Sequence, residues 1–216
     1  MRLFETPPLP VADLPAAATH FTKGRAGFTP QFIVIHHTGG TDSRAWLTST
    51  SPNRVSAHRL ITKTGTNYKL VADEDTSHAA GYAIVGAIDP DSADPAGVAP
   101  NFNVASLNIE LENLGKGRDL YPLDQITMCA RQCVEWIGKY GYLALVGHGW
   151  VDSRKNDPLG FDWPLLYRLI DTERVRLVQP LAVPPDFVDH LREASRAAQT
   201  TLAELTAMLA SVGGRP

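Results

Sequence analysis

The stretch Gly147 to Asp157, GHGWVDSRKND, gathers side chains that can do chemistry. A short apolar run, Leu143 to Val146, ends in Gly147-His148, and a polar loop closes on Lys155, Asn156 and Asp157 before Pro158. An imidazole at a strand tip followed by a carboxylate from the next loop is a metal-holding pattern. A catalytic Zn²⁺ takes about three ligands from His, Asp, Glu or Cys and keeps a fourth position open for water. His148 and Asp157 supply two. A second apolar run, FIVIHHT at 32–38, also ends in histidine and offers the third. Successive strand side chains point to opposite faces, so one of His36 and His37 reaches the metal and the other packs or hydrogen-bonds behind the sheet. The pattern leaves open which.

A general base has its own candidate. In NVASLNIELEN, 103–113, Leu107, Ile109 and Leu111 alternate with Asn108, Glu110 and Glu112. This is the period of a strand with one apolar face, the other carrying an amide and two carboxylates. One glutamate aimed at the metal site could take a proton from water. His58 falls on the first arm of an expected hairpin, Ala57 to Thr62, which turns at Gly65 and returns over Tyr68 to Val71. His78 precedes a loop, 81–100, rich in Gly, Pro, Asp and Ser. Loops that long in a compact domain are usually functional, and this one would make a groove wall.

Other elements must hold these side chains in place. Phe32 to Ile35 reads as a buried strand, and Ser43 to Thr50 as a short helix capped by Asp42 or Ser43. Leu123 to Tyr140 carries Ile126, Cys129, Cys133, Trp136 and Ile137 at helical spacing and stops at Gly141. The two cysteines share a helix face in a geometry poor for a disulfide, so they read as buried free thiols. Leu165 to Ile170 forms another helix, with Asp162 as N-cap and Pro164 in its first turn. Residues 1–30, rich in Pro and Ala, read as an extended surface arm. Residues 171–216 read as a Pro-containing linker and an amphipathic helix, with a stripe from Phe187 to Leu209 that docks on the domain or self-associates. The expected layout is thus an arm at 1–30, a domain at 31–170 and a tail at 171–216.

At 216 residues the chain suits one domain with appendages. A net charge of −3 leaves no electrostatic footprint for nucleic acid. No apolar run approaches the roughly 20 residues needed to span a bilayer. The first 20 residues lack the basic start and continuous apolar stretch of a secretory signal.

The ordered motifs IHHT (35–38), SAH (56–58), HAA (78–80), NVASLNIELEN (103–113) and GH…RKNDP…FDW (147–163) resemble the zinc-dependent N-acetylmuramoyl-L-alanine amidases. This family, amidase type 2, is related to peptidoglycan recognition proteins and includes phage endolysins. The resemblance spans roughly residues 31 to 170. It implies an α/β fold with a mixed central sheet flanked by helices, a Zn²⁺ cofactor on His36, His148 and Asp157, Glu110 as catalytic acid/base, and Lys155 at the scissile carbonyl. It also implies that His78, His58 and Asn103 line the substrate groove. Ala57 stands where some relatives carry a tyrosine near the metal, which leaves the proton transfers to Glu110. The implied reaction is hydrolysis of the amide between N-acetylmuramic acid and L-alanine. An endolysin made in the cytoplasm and released to the wall by a holin-like route is the leading expectation. The alternatives are a cytoplasmic amidase recycling anhydro-muropeptides and a non-catalytic wall-binding module. A complete ligand set with Glu110 and Lys155 argues for the enzyme.

Overall fold

Runs of β-branched and apolar residues build the centre of the fold. In the computed structural model, described here for residues 9–40, 43–49, 54–81 and 101–177, six strands form one mixed sheet. They are β1 (Val11–Asp13), β3 (Phe32–His37), β4 (Arg59–Ile61), β5 (Asn67–Lys69), β7 (Ser106–Leu111) and β8 (Ala144–Gly147), in the spatial order β1-β5-β4-β7-β3-β8. Two further strands, β2 (Phe21–Thr22) and β6 (Thr76–Ser77), pair antiparallel as a separate ribbon. In the main sheet only the β4–β5 hairpin is antiparallel; its tight turn carries Gly65 at φ +76°, a backbone conformation natural to glycine. β4, β7, β3 and β8 run parallel.

Strands buried on both faces read as near-continuous apolar runs, and Ile33, Val34 and Ile35 have no solvent exposure. β7 is the exception, since all six of its residues are buried although Asn108 and Glu110 are polar. Its polar face therefore turns inward.

The helices are α1 (Ser43–Thr48), α2 (Phe102–Ala105), α3 (Leu123–Tyr140), α4 (His148–Val151) and α5 (Trp163–Leu177). α3 forms because its apolar residues recur every three to four positions, and it stops at Gly141, whose N–H bonds the Ile137 carbonyl at φ +84°. It packs beneath the hairpin and β7. The Arg59 guanidinium lies 5.1 Å from the Trp136 ring centre and donates to Gln132, while Gln125 donates to the Ile61 and Glu112 carbonyls. Cys129 and Cys133 are buried free thiols on this helix. At α5, Asp162 accepts from the Leu165 N–H at 2.9 Å, as an N-cap should.

Two expected boundaries move. Residues 9–30 lie mostly at the surface, but they are tied in by β1, the edge strand beside β5, and by Arg25, which is buried in the interior. The arm lacks periodicity because each of its pieces is too short to show any. At the other end α5 continues through Leu177, so no linker begins at 171. Contacts divide the chain into Glu5–Arg174 and a unit of both chain ends, Met1–Phe4 with Val175–Pro216. The amphipathic stripe at 187–209, the groove wall at 82–100 and the Asp42 cap lie outside the described residues. Among those described, no helix is long and apolar enough to cross a membrane.

Candidate metal centre

The parallel register carries β3, β7 and β8 to a common rim, and the carboxyl ends of parallel strands are where such sheets bind ligands. His36 lies beside Glu110, and Ile35 beside Gly147, so His148, the first residue of α4, emerges next to the end of β3. The loop after α4 folds back over this helix. Its Asp157 carbonyl accepts from the Gly149 N–H at 2.9 Å. A Cβ on Gly149 would stand 3.0 Å from the Lys155 carbonyl oxygen, so a side chain there would lift the loop. Glycine at this point lets the loop return close enough to deliver Asp157.

Among the described residues, one group of three His, Cys, Asp or Glu side chains could hold a metal ion: His36, His148 and Asp157, whose ligating atoms lie within 4.8 Å of one another. Asp157 Oδ2 is 3.2 Å from His36 Nδ1 and 3.0 Å from His148 Nδ1, and the two rings meet edge to face at 4.5 Å. Ligands about 2.0–2.2 Å from a tetrahedral zinc lie roughly 3.3 Å apart, so these spacings suit the ion.

The hydrogen-bond chemistry gives an independent test of fit. Burial, the largest effect, pulls the His36 pKa below its ordinary value. Its Nε2 lies 3.0 Å from Asn108 Oδ1, while the Asn108 amide nitrogen donates to the Ser77 and Ser106 hydroxyls. In the neutral ring the proton therefore belongs on Nε2, and the Nδ1 lone pair faces the carboxylate. Burial raises the Asp157 pKa, but the close approach of the His148 and His36 rings outweighs it and holds the carboxyl far below its usual range. Two lone pairs converging on one point call for a cation. A second partner that fixes the tautomer of a ligating histidine is the customary arrangement at metal sites, and Asn108 fills that place.

Glu110 is 8% exposed, and its Oε2 is buried with no hydrogen-bond partner among the described residues. Burial and then the nearby Asp157 charge push its pKa up to about 8, against the pull of Lys155. Lys155 itself is exposed on the loop. A bound divalent cation would draw the Glu110 pKa back down.

The remaining expected residues sit elsewhere. His58 does not line a groove: its ring is fully buried, with Nδ1 accepting from the Asn108 N–H and Nε2 2.8 Å from Arg25 Nη2 and 3.1 Å from the Asp75 carbonyl. Ser77 joins His58 to Asn108, so a polar chain runs His36–Asn108–Ser77–His58–Arg25 behind the site. Asn103 also faces inward, its Oδ1 accepting from three consecutive N–H groups, Ala79, Ala80 and Gly81, at 2.8–3.1 Å. His78 is half-buried beside the Thr22 hydroxyl and the Arg54 carbonyl. Glu112 turns away from the site and accepts from the Lys63 N–H. Sequence reasoning gave Asn108 no role, although its place two residues before Glu110 on the same strand face was the available signal.

Comparison with known proteins bears on this arrangement. The family described as N-acetylmuramoyl-L-alanine amidase matches residues 26–160. The chain belongs to that family. The amidase is an enzyme of muramoyl–L-alanine amide hydrolysis, with the mixed α/β fold expected of it. A crystal structure of selenomethionine AmpD is similar at 23% identity and a TM-score of 0.60, covering 79% of this chain and 99% of that one. Similar too is AmiD of E. coli, solved with anhydro-N-acetylmuramic acid-L-Ala-D-γ-Glu-L-Lys, at 25% identity and a TM-score of 0.52. The match covers 68% of the amidase and only 60% of AmiD. A mutant endolysin from Bacillus subtilis shares the fold at 16% identity and a TM-score of 0.50, with 74% and 97% covered. None of the curated proteins matches the sequence.

Proposed function

We propose that the amidase holds Zn²⁺ on His36, His148 and Asp157 and uses Glu110 and Lys155 to hydrolyse the bond between N-acetylmuramic acid and L-alanine. The observation that carries this reading is the convergence of Asp157 Oδ2 on His36 Nδ1 at 3.2 Å and His148 Nδ1 at 3.0 Å, beside the buried Glu110 carboxyl with one unpaired oxygen. When bound, zinc supplies Lewis-acid polarisation and lowers the pKa of water to about 7. Glu110, next to His36 in the sheet register, takes the proton from the attacking water and returns it to the departing amine of L-alanine. Lys155 sets positive charge where the carbonyl oxygen becomes negative, and preorganised charge of this kind is worth most in a site shielded from water. Asn108 fixes the His36 ring so that its Nδ1 stays available. His78, half-buried, is the one of the three expected groove residues that we keep as a groove residue.

The substrate is the muramoyl-peptide unit, which occurs in wall polymer and in soluble fragments. An endolysin acting on polymer is the leading expectation from the sequence, toward which the Pro-rich N-terminal arm and the added tail helix tilt the reading. With residues 11–13 built into the sheet, half of that support is gone. The likeness to AmiD, solved with an anhydro-muropeptide, favours the soluble form.

The test is purified protein on intact peptidoglycan and on a soluble anhydro-muropeptide, with and without a chelator, following new L-alanine amino groups and, separately, new reducing ends. Amine release that a chelator abolishes and Zn²⁺ restores is the expected result, faster on the soluble substrate. E110Q should lose about 10²- to 10⁴-fold in rate while still binding zinc. Binding without amine release at full zinc occupancy would leave a recognition module and overturn the reading.

A further inference from the structure

The second histidine of the pair has no part in the proposed chemistry, yet its surroundings are as specific as those of His36. His36 and His37 leave the end of β3 toward opposite faces, and both engage the same short segment, Asp157 to Leu159. On one side Asp157 Oδ2 meets His36 Nδ1. On the other, the Leu159 N–H donates to His37 Nδ1 at 3.2 Å, and the Tyr121 hydroxyl donates to the Leu159 carbonyl at 3.3 Å while lying 3.3 Å from His37 Nδ1. The segment thus straddles the strand tip and is held from behind by the residue that follows the ligand His36.

The His37 ring is itself fixed. A Cβ on Gly115, at φ +69°, would fall 2.6 Å from His37 Nε2, so the backbone of the 113–119 loop closes directly on the back of the imidazole. Tyr121 is seated edge-on against Phe161 at 5.1 Å. An amide N–H can only donate, so His37 Nδ1 must present a lone pair to Leu159. That requirement sets its tautomer just as Asn108 sets that of His36.

We propose that His37 and Tyr121 are positioning residues that register Asp157 on the metal centre by gripping the backbone of Leu159 two residues beyond it. Neither residue touches the reacting atoms. Without the grip, Asp157 must be ordered at the moment of metal binding, and that entropy is subtracted from the affinity. The inference rests on the zinc reading above, and it concerns affinity for the ion.

The test compares metal-free parent, H37N and H37L, titrated with Zn²⁺ against a chromophoric chelator. Asn and Leu have nearly the same shape, but only Asn offers an acceptor, Oδ1, where His37 has Nδ1. H37N should bind zinc close to the parent affinity. H37L should bind it about 10- to 100-fold more weakly, the size of loss seen when the support of a metal ligand is removed. Equal affinities of H37N and H37L would overturn the proposal, because volume and packing are matched and only the acceptor differs. If H37L does not fold, Y121F decides. Weakened zinc binding in Y121F, with the ring packing kept, supports the grip, and parent-like affinity overturns it. A parent protein that fails to bind zinc sinks the zinc reading and this inference together. Tight parental binding with indifferent variants sinks this inference alone.

Discussion

At the scale of residues, the site sets two carboxylates apart by environment. Asp157 lies against two imidazoles and stays ionised, whereas Glu110, buried with an unpaired oxygen, has its pKa pushed up to about 8. In the unfolded chain a glutamate titrates near ~4.3. Between these values the metal-free folded protein keeps a proton that the unfolded chain has released. The stability tied to this group is therefore full below the unfolded pKa and is lost as pH rises through the folded one. E110Q removes the group. In metal-free protein the stability of E110Q relative to the parent should rise between pH 5 and pH 8 by a few kcal/mol, since one pKa unit is about 1.4 kcal/mol. Asp157 is common to both proteins, so its opposing contribution cancels in the difference. Denaturant unfolding across this range measures it, and parallel pH profiles would refute the assignment. His148 and the His36-His37 pair stood out in the sequence because they end apolar runs, and Glu110 because it lies on the polar half of an alternation, whereas Asp157 and Lys155 stood out only as the close of a polar loop. The partners of His58 and Asn103 were not legible, because a histidine or amide in a motif reads the same whether it faces substrate or interior.

At the scale of elements, one buried side chain does much to tie in the N-terminal segment, beside the pairing of β1 with β5 and the Lys23 and Gly24 bonds to Asp75. The Arg25 guanidinium donates to the carbonyls of Asp73, Val104 and Ser106 at 2.7–2.9 Å and lies 2.8 Å from His58. It ties the turn before β3 to the strand that carries Glu110. R25A leaves these buried acceptors unpaired. With each such group costing roughly 1–3 kcal/mol, a loss of about 3 kcal/mol or more in urea unfolding is expected. A loss under about 1 kcal/mol would show that the segment holds without it. Nothing local in the sequence marks Arg25, since its partners lie far along the chain and a charged residue in a Gly-rich turn looks solvated. α3 was legible end to end, because eighteen residues sustain a period and a glycine stops it. β1, at three residues, sustains none.

At the scale of the molecule, the three proposed ligands come from separate parts of the compact unit Glu5–Arg174, so metal binding by them would be a property of the folded state. An ion that binds only the native form stabilises it by mass action, about 4 kcal/mol at a free concentration 1,000 times the dissociation constant. Scanning calorimetry should show the melting temperature rising with zinc and falling with chelator, and D157A should abolish most of the shift. A parent melting temperature indifferent to zinc would count against the site. The mixed sheet as a class was legible from alternating strand and helix patterns. Its spatial order was not, because the placement of β3 between β7 and β8 joins residues that no local pattern relates.

That placement also gives the protein a schedule. His36 and Asp157 stand 121 residues apart in the chain, and ribosomes extend a chain by roughly 5–20 residues each second. The first imidazole therefore leaves the ribosome many seconds before the carboxylate it needs, and the centre comes together only after the strand between them and its neighbour have been made. During translation the growing chain cannot compete for zinc with this site. On the zinc reading proposed above, the ion is therefore acquired only once all three side chains have been made.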